Sequence, residues 1–164
     1  FPGHYFAAVA VFALASFTDY LDGHIARARG LVTDFGKFAD PLADKLLTTT
    51  AVIYLVADGL CDPLVLFIIL AREFAVSGVR MVAAGAPGGK VIAANIWGKA
   101  KTVLQMVSII LIYLMLGLLD LGAWPAGLSV SLIASALLWA VAAATALSGV
   151  QYLWQNRSFI NTAK

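Results

Sequence analysis

Four aspartates stand at helical spacing in the N-terminal part of the chain, between Asp19 and Asp44. Asp19 and Asp22 are three residues apart, and Asp40 and Asp44 are four apart, so each pair shares one face of a helix. On two consecutive antiparallel helices, the four carboxylates would face each other. Such a cluster cannot stay ionised in a low-dielectric site without compensation, and divalent cations are the natural compensation.

The ligand chemistry narrows the choice of metal and substrate. An all-oxygen set with no nearby pair of Cys or His residues suits Mg²⁺ or Mn²⁺, and two ions about 3.5–4 Å apart would clamp a phosphoryl transfer. Mg²⁺ held by a few carboxylates usually completes its shell with substrate phosphates, so we expect a phosphate or pyrophosphate substrate. The alternative is that the acids lie at the membrane interface and pair with Arg27, Arg29, Lys37 and Lys45.

The composition places these acids in a membrane protein. Of the 164 residues, 62% are hydrophobic and 12% are charged, whereas a soluble domain carries about 25% charged residues. Five apolar segments approach the roughly 20 residues that a membrane helix needs, and their non-alternating runs favour helices. They run from Tyr5 to Leu21, Phe35 to Ala57, Pro63 to Ala84, Ile96 to Leu119 and Leu128 to Trp154. We therefore expect an all-α integral membrane protein, a helix bundle forming one domain over residues 1–164.

The charges are distributed unevenly between the two ends of these segments. All eleven Lys and Arg residues fall on one side or within reach of it, while the connections after the second and fourth segments carry only Asp58, Asp62 and Asp120. By the positive-inside rule, the basic side and its aspartate cluster face the cytoplasm. We expect the inner membrane of a bacterium. The net charge of +2 gives no indication of nucleic-acid binding.

A second group of charged residues interrupts the third segment and begins the fourth. Charges within a membrane segment should point into a cavity and not into lipid. Because Arg and Lys bind phosphates, this group suits an anionic acceptor. The candidates for binding the acceptor phosphate are Arg72, Arg80, Lys99, Lys101 and Lys45. Two alternatives stay open: Arg72 and Glu73 could form a structural pair, and the two lysines of the fourth segment could be cytoplasmic anchors.

The stretch from Asp19 to Asp44 reads D-x2-D-G-x2-A-R-x8-G-x3-D-x3-D without a mismatch. It resembles the defining motif of the CDP-alcohol phosphotransferase family, with eight fixed positions over 26 residues. The resemblance implies that Asp19, Asp22, Asp40 and Asp44 bind two metal ions and that Asp44 is also the general base. It implies further that a CDP site is formed by Asp22, Gly23, Ala26, Arg27 and Gly36.

The resemblance also implies a reaction: a phosphatidyl group moves from CDP-diacylglycerol to an alcohol within a membrane-bound enzyme, commonly a homodimer, and CMP is released. The segments at 40–45, 72–73 and 97–102 are similar to the phosphatidylglycerophosphate synthase branch, whose acceptor is sn-glycerol 3-phosphate. The cardiolipin synthase branch, which uses phosphatidylglycerol, and an inositol-phosphate-using branch stay open, as does a divalent-cation transporter. The family bundle usually has six membrane helices, so we expect the first one to be lacking from this chain.

Overall fold

The described residues of the chain form five α-helices. A computed structural model describes residues 3–28, 34–85 and 96–157, and it places their side chains except at positions 19–20, 23–24, 26–28, 34–44 and 84–85. The helices are α1 (His4–Ala28), α2 (Asp34–Ala57), α3 (Pro63–Gly85), α4 (Ile96–Asp120) and α5 (Val130–Gln155). No strand occurs in these described ranges. The all-α prediction is therefore confirmed, and each of the five predicted segments corresponds to one helix.

Helices α2 and α4 end in the same glycine motif. Leu60 N–H donates to Leu55 O at 2.9 Å and Gly59 N–H to Val56 O at 3.0 Å, with Gly59 at φ +72°. This pair of bonds around a left-handed residue is the Schellman motif, which glycine adopts without a Cβ clash. The same pattern follows α4, where Gly122 has φ +67°. Gly59 and Gly122 therefore end the two helices.

The start of α5 is fixed by a serine cap. Ser129 precedes the helix in an extended conformation, and its Oγ accepts a hydrogen bond from Leu132 N–H at 3.3 Å. This bond satisfies one of the N–H groups that have no partner within the helix. The last predicted segment began at Leu128, but the helix begins at Val130 because the cap precedes its first turn.

Helix α5 packs against α3 and α4, α1 packs chiefly against α4, and α2 contacts α1, α3 and α4. The interior between the helices is apolar and includes the fully buried Val52, Leu55, Val65, Ile109 and Val141. Two small residues of α5, Ala142 and Gly149, are also buried within the chain. Both residues therefore contribute to packing within the chain.

The outer surface of the bundle carries many large apolar side chains. Phe67 is 65% exposed, Phe74 74%, Leu132 73% and Leu147 73%. A surface this apolar is unfavourable in water but favourable in lipid. Within the described ranges, α4 and α5 are long and apolar enough to cross a membrane by composition alone. Helix α3 carries three charged residues, Arg72, Glu73 and Arg80, and all three line a cavity among the helices.

Candidate functional site

The aspartate cluster is distributed over two consecutive helices in contact with each other. Asp22 lies six residues before the end of α1, and Asp40 lies six residues after the start of α2. Asp19 lies nine residues before the end of α1, and Asp44 lies ten residues after the start of α2. At a rise of about 1.5 Å per residue, antiparallel packing therefore places Asp22 level with Asp40, and Asp19 nearly level with Asp44.

The side chains of this motif are largely outside the described part of the chain. Asp22 is described, and it is exposed. The side chains of Asp19, Asp40 and Asp44, and the predicted CDP-site positions Gly23, Ala26, Arg27 and Gly36, lie outside the described residues. Among the described side chains, no three His, Cys, Asp or Glu residues group closely enough to hold a metal. The metal site and the CDP site therefore stay predictions.

A cavity of about 350 Å³ lies between α2, α3 and α4. All five predicted acceptor-binding residues line it, although they come from three helices and are separated by up to 56 positions in sequence. The described lining residues are Lys45, Thr48, Thr49, Ile69, Arg72, Glu73, Arg80, Gly98, Lys99, Lys101, Thr102, Val103 and Gln105. They include five cations and one carboxylate, so four positive charges in this set have no balancing carboxylate within it.

Glu73 is the carboxylate at which three of these cations meet. Its Oε1 accepts a hydrogen bond from Arg72 Nη1 at 2.9 Å and another from Lys101 Nζ at 2.8 Å. Lys45 Nζ lies 3.6 Å from Oε2 and also donates to Ser77 Oγ. The Arg72–Glu73 pair that the sequence left open is thus present, as part of a network joining α2, α3 and α4. Such charge-assisted bonds fix the cations at the cavity wall.

The burial of the cations differs from one to the next. The Lys101 side chain is 4% exposed and that of Arg72 11%, while that of Lys45 is 32% exposed. Arg72 Nε is buried and has no hydrogen-bond partner in the described part of the chain. A buried donor without a partner is costly, and an anion entering the cavity would supply one. Lys99 is exposed, which places it at the cavity rim.

Two residues of α5 that were not predicted to belong to the site contact the arginines. Arg80 Nε donates to Tyr152 Oη at 3.3 Å, and its guanidinium carbon lies 5.7 Å from the centre of the Tyr152 ring. Gly149 lies against the aliphatic part of Arg72. These two contacts could not be predicted, because a glycine or a tyrosine in an apolar helix carries no signal of a polar partner elsewhere in the chain.

These features define a helical membrane protein with a strongly basic cavity among its helices. The sequence model of the CDP-alcohol phosphatidyltransferase family matches residues 1–149, and the chain belongs to this family.

The relatives of this chain include three bacterial proteins named CDP-diacylglycerol--glycerol-3-phosphate 3-phosphatidyltransferase. That of Bacillus subtilis (strain 168) is 40% identical over 162 residues, 99% of this chain and 79% of the relative. That of Rickettsia felis is 38% identical over 147 residues, 87% of this chain and 74% of the relative. That of Pseudomonas fluorescens is 40% identical over 114 residues, which are 66% of this chain and 57% of the relative.

Proposed function

We propose that this chain transfers the phosphatidyl group of CDP-diacylglycerol to sn-glycerol 3-phosphate, giving phosphatidylglycerophosphate and CMP. The observation that carries the proposal is the cavity, whose lining includes five cations and one carboxylate. Glycerol 3-phosphate is a small dianion, and a pocket with excess positive charge and arginine donors is suited to its phosphate. The names of the relatives from Bacillus subtilis and Rickettsia felis support the same donor and acceptor.

The cavity favours this acceptor over the two other alcohols considered. Phosphatidylglycerol carries a single charge on its phosphodiester, which needs fewer cations, and its acyl chains must stay in lipid. A cavity of about 350 Å³ that is closed on several sides by α2, α3 and α4 suits a small soluble molecule better. Inositol phosphate shares the charge of glycerol 3-phosphate but has a bulkier ring, so the assay must include it.

The reaction requires an acceptor oxygen to attack phosphorus while the bond to CMP breaks. We propose that Asp44 accepts the proton of the attacking hydroxyl, and that the electron pair of the broken P–O bond leaves with CMP. The family is generally divalent-metal dependent. The carboxylates of Asp19, Asp22, Asp40 and Asp44 would together provide an all-oxygen donor set for two ions of Mg²⁺ or Mn²⁺, as in the family's pattern. When bound, the metal neutralises the pyrophosphate and the leaving CMP.

The remaining motif residues shape the donor site in this proposal. Gly23 and Gly36 would allow close approach of the cytidine nucleotide, together with Ala26, because none of the three carries a large side chain. Arg27 would pair with a phosphate. The acyl chains of the donor stay in lipid beside the bundle, so the chemistry takes place at the cytoplasmic boundary of a bacterial inner membrane. We propose a homodimer as the assembly, which cross-linking in membranes would test.

The test is CMP release by the purified chain in detergent micelles with CDP-diacylglycerol and Mg²⁺ or Mn²⁺. Glycerol 3-phosphate, phosphatidylglycerol and inositol phosphate are supplied in parallel. We expect release with glycerol 3-phosphate alone, and a loss of about 100-fold or more in Asp44→Asn, because general bases contribute on that order. Asp58→Asn, which changes an exposed acid in the connection after α2, is the matched control. Release only with another acceptor would refute the glycerol 3-phosphate assignment.

A further inference from the structure

Helix α5 contacts both arginines of the cavity although neither of its contacting residues lines the cavity. Gly149 touches Arg72, and Tyr152 touches Arg80. Residues three apart on a helix share one face, so Gly149 and Tyr152 form a single surface against α3. We call this pair the α5 positioning face.

At the first contact, the absence of a side chain at Gly149 leaves room for Arg72. A Cβ at position 149 would lie 2.7 Å from Arg72 Cγ and 3.6 Å from Arg72 Cβ. The first distance is shorter than real carbon contacts, so any larger residue would force the Arg72 side chain to move. Arg72 has little freedom to do so, since it is 11% exposed and bonded to Glu73. Its position in the cavity therefore depends on a glycine at position 149.

At the second contact, Tyr152 supplies a fixed acceptor. Tyr152 is 2% exposed and packs with Val76, Val79 and Leu153, so its hydroxyl has a defined position. It accepts from Arg80 Nε at 3.3 Å. A guanidinium has five N–H donors, and the use of Nε leaves the four on the terminal nitrogens for an anion. The hydroxyl thus orients the arginine without competing for the donors that face a ligand.

We propose that Gly149 and Tyr152 are positioning residues that hold Arg72 and Arg80 in the geometry that binds the phosphate of the acceptor alcohol. The proposal rests on the function proposed above and extends it to α5, a helix outside the aspartate motif. The two residues act through the arginines and do not touch the substrate. Their loss should therefore weaken acceptor binding and leave the chemical step and donor binding unchanged.

The test measures kcat and KM for both substrates in Gly149→Ala and Tyr152→Phe. We expect KM for glycerol 3-phosphate to rise about tenfold in the first variant, because Arg72 must move, and about three- to tenfold in the second, as for one lost hydrogen bond of ordinary strength. The kcat and the KM for CDP-diacylglycerol should change by less than about twofold. Gly78→Ala is the matched control for the first variant, because a Cβ there meets nothing within 4 Å. Unchanged KM for glycerol 3-phosphate, or an equal loss for both substrates, would overturn the proposal.

A double-mutant comparison separates positioning from general packing. Arg72→Ala removes the Cγ that a Cβ at position 149 would meet, so Gly149→Ala should add no further rise in KM in that background. Tyr152→Phe should likewise add nothing to Arg80→Ala. The same increase in both backgrounds would mean an independent structural effect and would refute the positioning role. If the unaltered chain released no CMP with glycerol 3-phosphate, the proposed function itself would fail, and this inference with it.

Discussion

Glu73 shows at the scale of one residue how the cavity is held together. It receives hydrogen bonds from Arg72 on its own helix and from Lys101 on α4, and it lies 3.6 Å from Lys45 of α2. A carboxylate that is 17% exposed remains ionised in such a place when cations surround it. It keeps three like charges close together before any substrate binds.

We predict that Glu73→Gln lowers the stability of the bundle. The amide keeps the shape but removes the negative charge, and breaking a buried ion pair by removing one partner costs roughly 3–5 kcal/mol. Thermal unfolding of the detergent-solubilised chain would show a lower Tm than the unaltered chain. Asp58→Asn, an exposed acid changed in the same way, should leave the Tm unchanged. Equal Tm values for Glu73→Gln and the unaltered chain would contradict the network.

Cys61 gives a pH-dependent prediction outside the helices. Burial, with a smaller effect from Asp62, raises the pKa of the Cys61 thiol from 9.0 to about 11. The reactive thiolate is therefore scarce at neutral pH, and its fraction rises about tenfold per pH unit until the pH nears 11. At pH 8 we expect iodoacetamide to label the folded chain roughly 100-fold more slowly than the chain unfolded in SDS. Similar labelling rates in the two states would refute the raised pKa.

The five cations of the cavity could be predicted from the sequence, but the residues that contact and orient them could not. Arg72, Arg80, Lys99, Lys101 and Lys45 could be selected because charges in apolar segments need a polar environment. The convergence of Lys45 and Lys101 on Glu73 could not be predicted, since it depends on how α2 and α4 are rotated against α3. The roles of Gly149 and Tyr152 were missed for the same reason.

At the scale of whole helices, α1 is held to α4 by a close contact between an aromatic ring and a glycine. A Cβ at Gly117 would lie 2.7 Å from Phe6 Cζ and 2.8 Å from Phe6 Cε2. The ring therefore lies directly on the α4 backbone. Small residues allow such close approach of membrane helices, where van der Waals packing is a main source of association.

We predict that Gly117→Val separates α1 from α4 and costs about 1–3 kcal/mol, as overpacking does. Adding Phe6→Ala should recover most of this loss, because the small side chain leaves room for the valine. Thermal unfolding of both variants would measure the effect. Gly78→Val, at a glycine of α3 with open space around its Cβ position, is the control. If the double variant were less stable than Gly117→Val alone, the proposed contact would be wrong.

The helix bounds illustrate what hydropathy can and cannot predict. The predicted segments Pro63 to Ala84 and Ile96 to Leu119 each differ from α3 and α4 by one residue at one end. The first segment was predicted to end at Leu21, but α1 continues to Ala28. Hydropathy detects the part of a helix that suits lipid, whereas backbone hydrogen bonding continues into the charged motif beyond it.

At the scale of the whole molecule, the charges divide the bundle into two unlike ends. Asp58 and Asp62 lie in the connection after α2, and Asp120 is the last residue of α4. The opposite end holds the motif and the rim residue Lys99. A substrate dianion approaches a basic end more readily than an acidic one. The described helices thus combine an apolar surface for lipid with a basic cavity, which is the organisation that a reaction between a lipid and a soluble phosphate needs.

We predict that the basic end of the bundle, with its cavity, faces the cytoplasm, as the positive-inside rule indicates. The test introduces single cysteines into a Cys61→Ser background, as Ala126→Cys and Gln155→Cys. Position 126 lies in the connection before α5, position 155 is the last residue of α5, and both are exposed. In spheroplasts, a membrane-impermeant maleimide should label Ala126→Cys at once and Gln155→Cys only after permeabilisation. The Cys61→Ser chain is the control and should not be labelled. The reverse pattern would place the cavity outside the cell, where a cytoplasmic acceptor could not reach it.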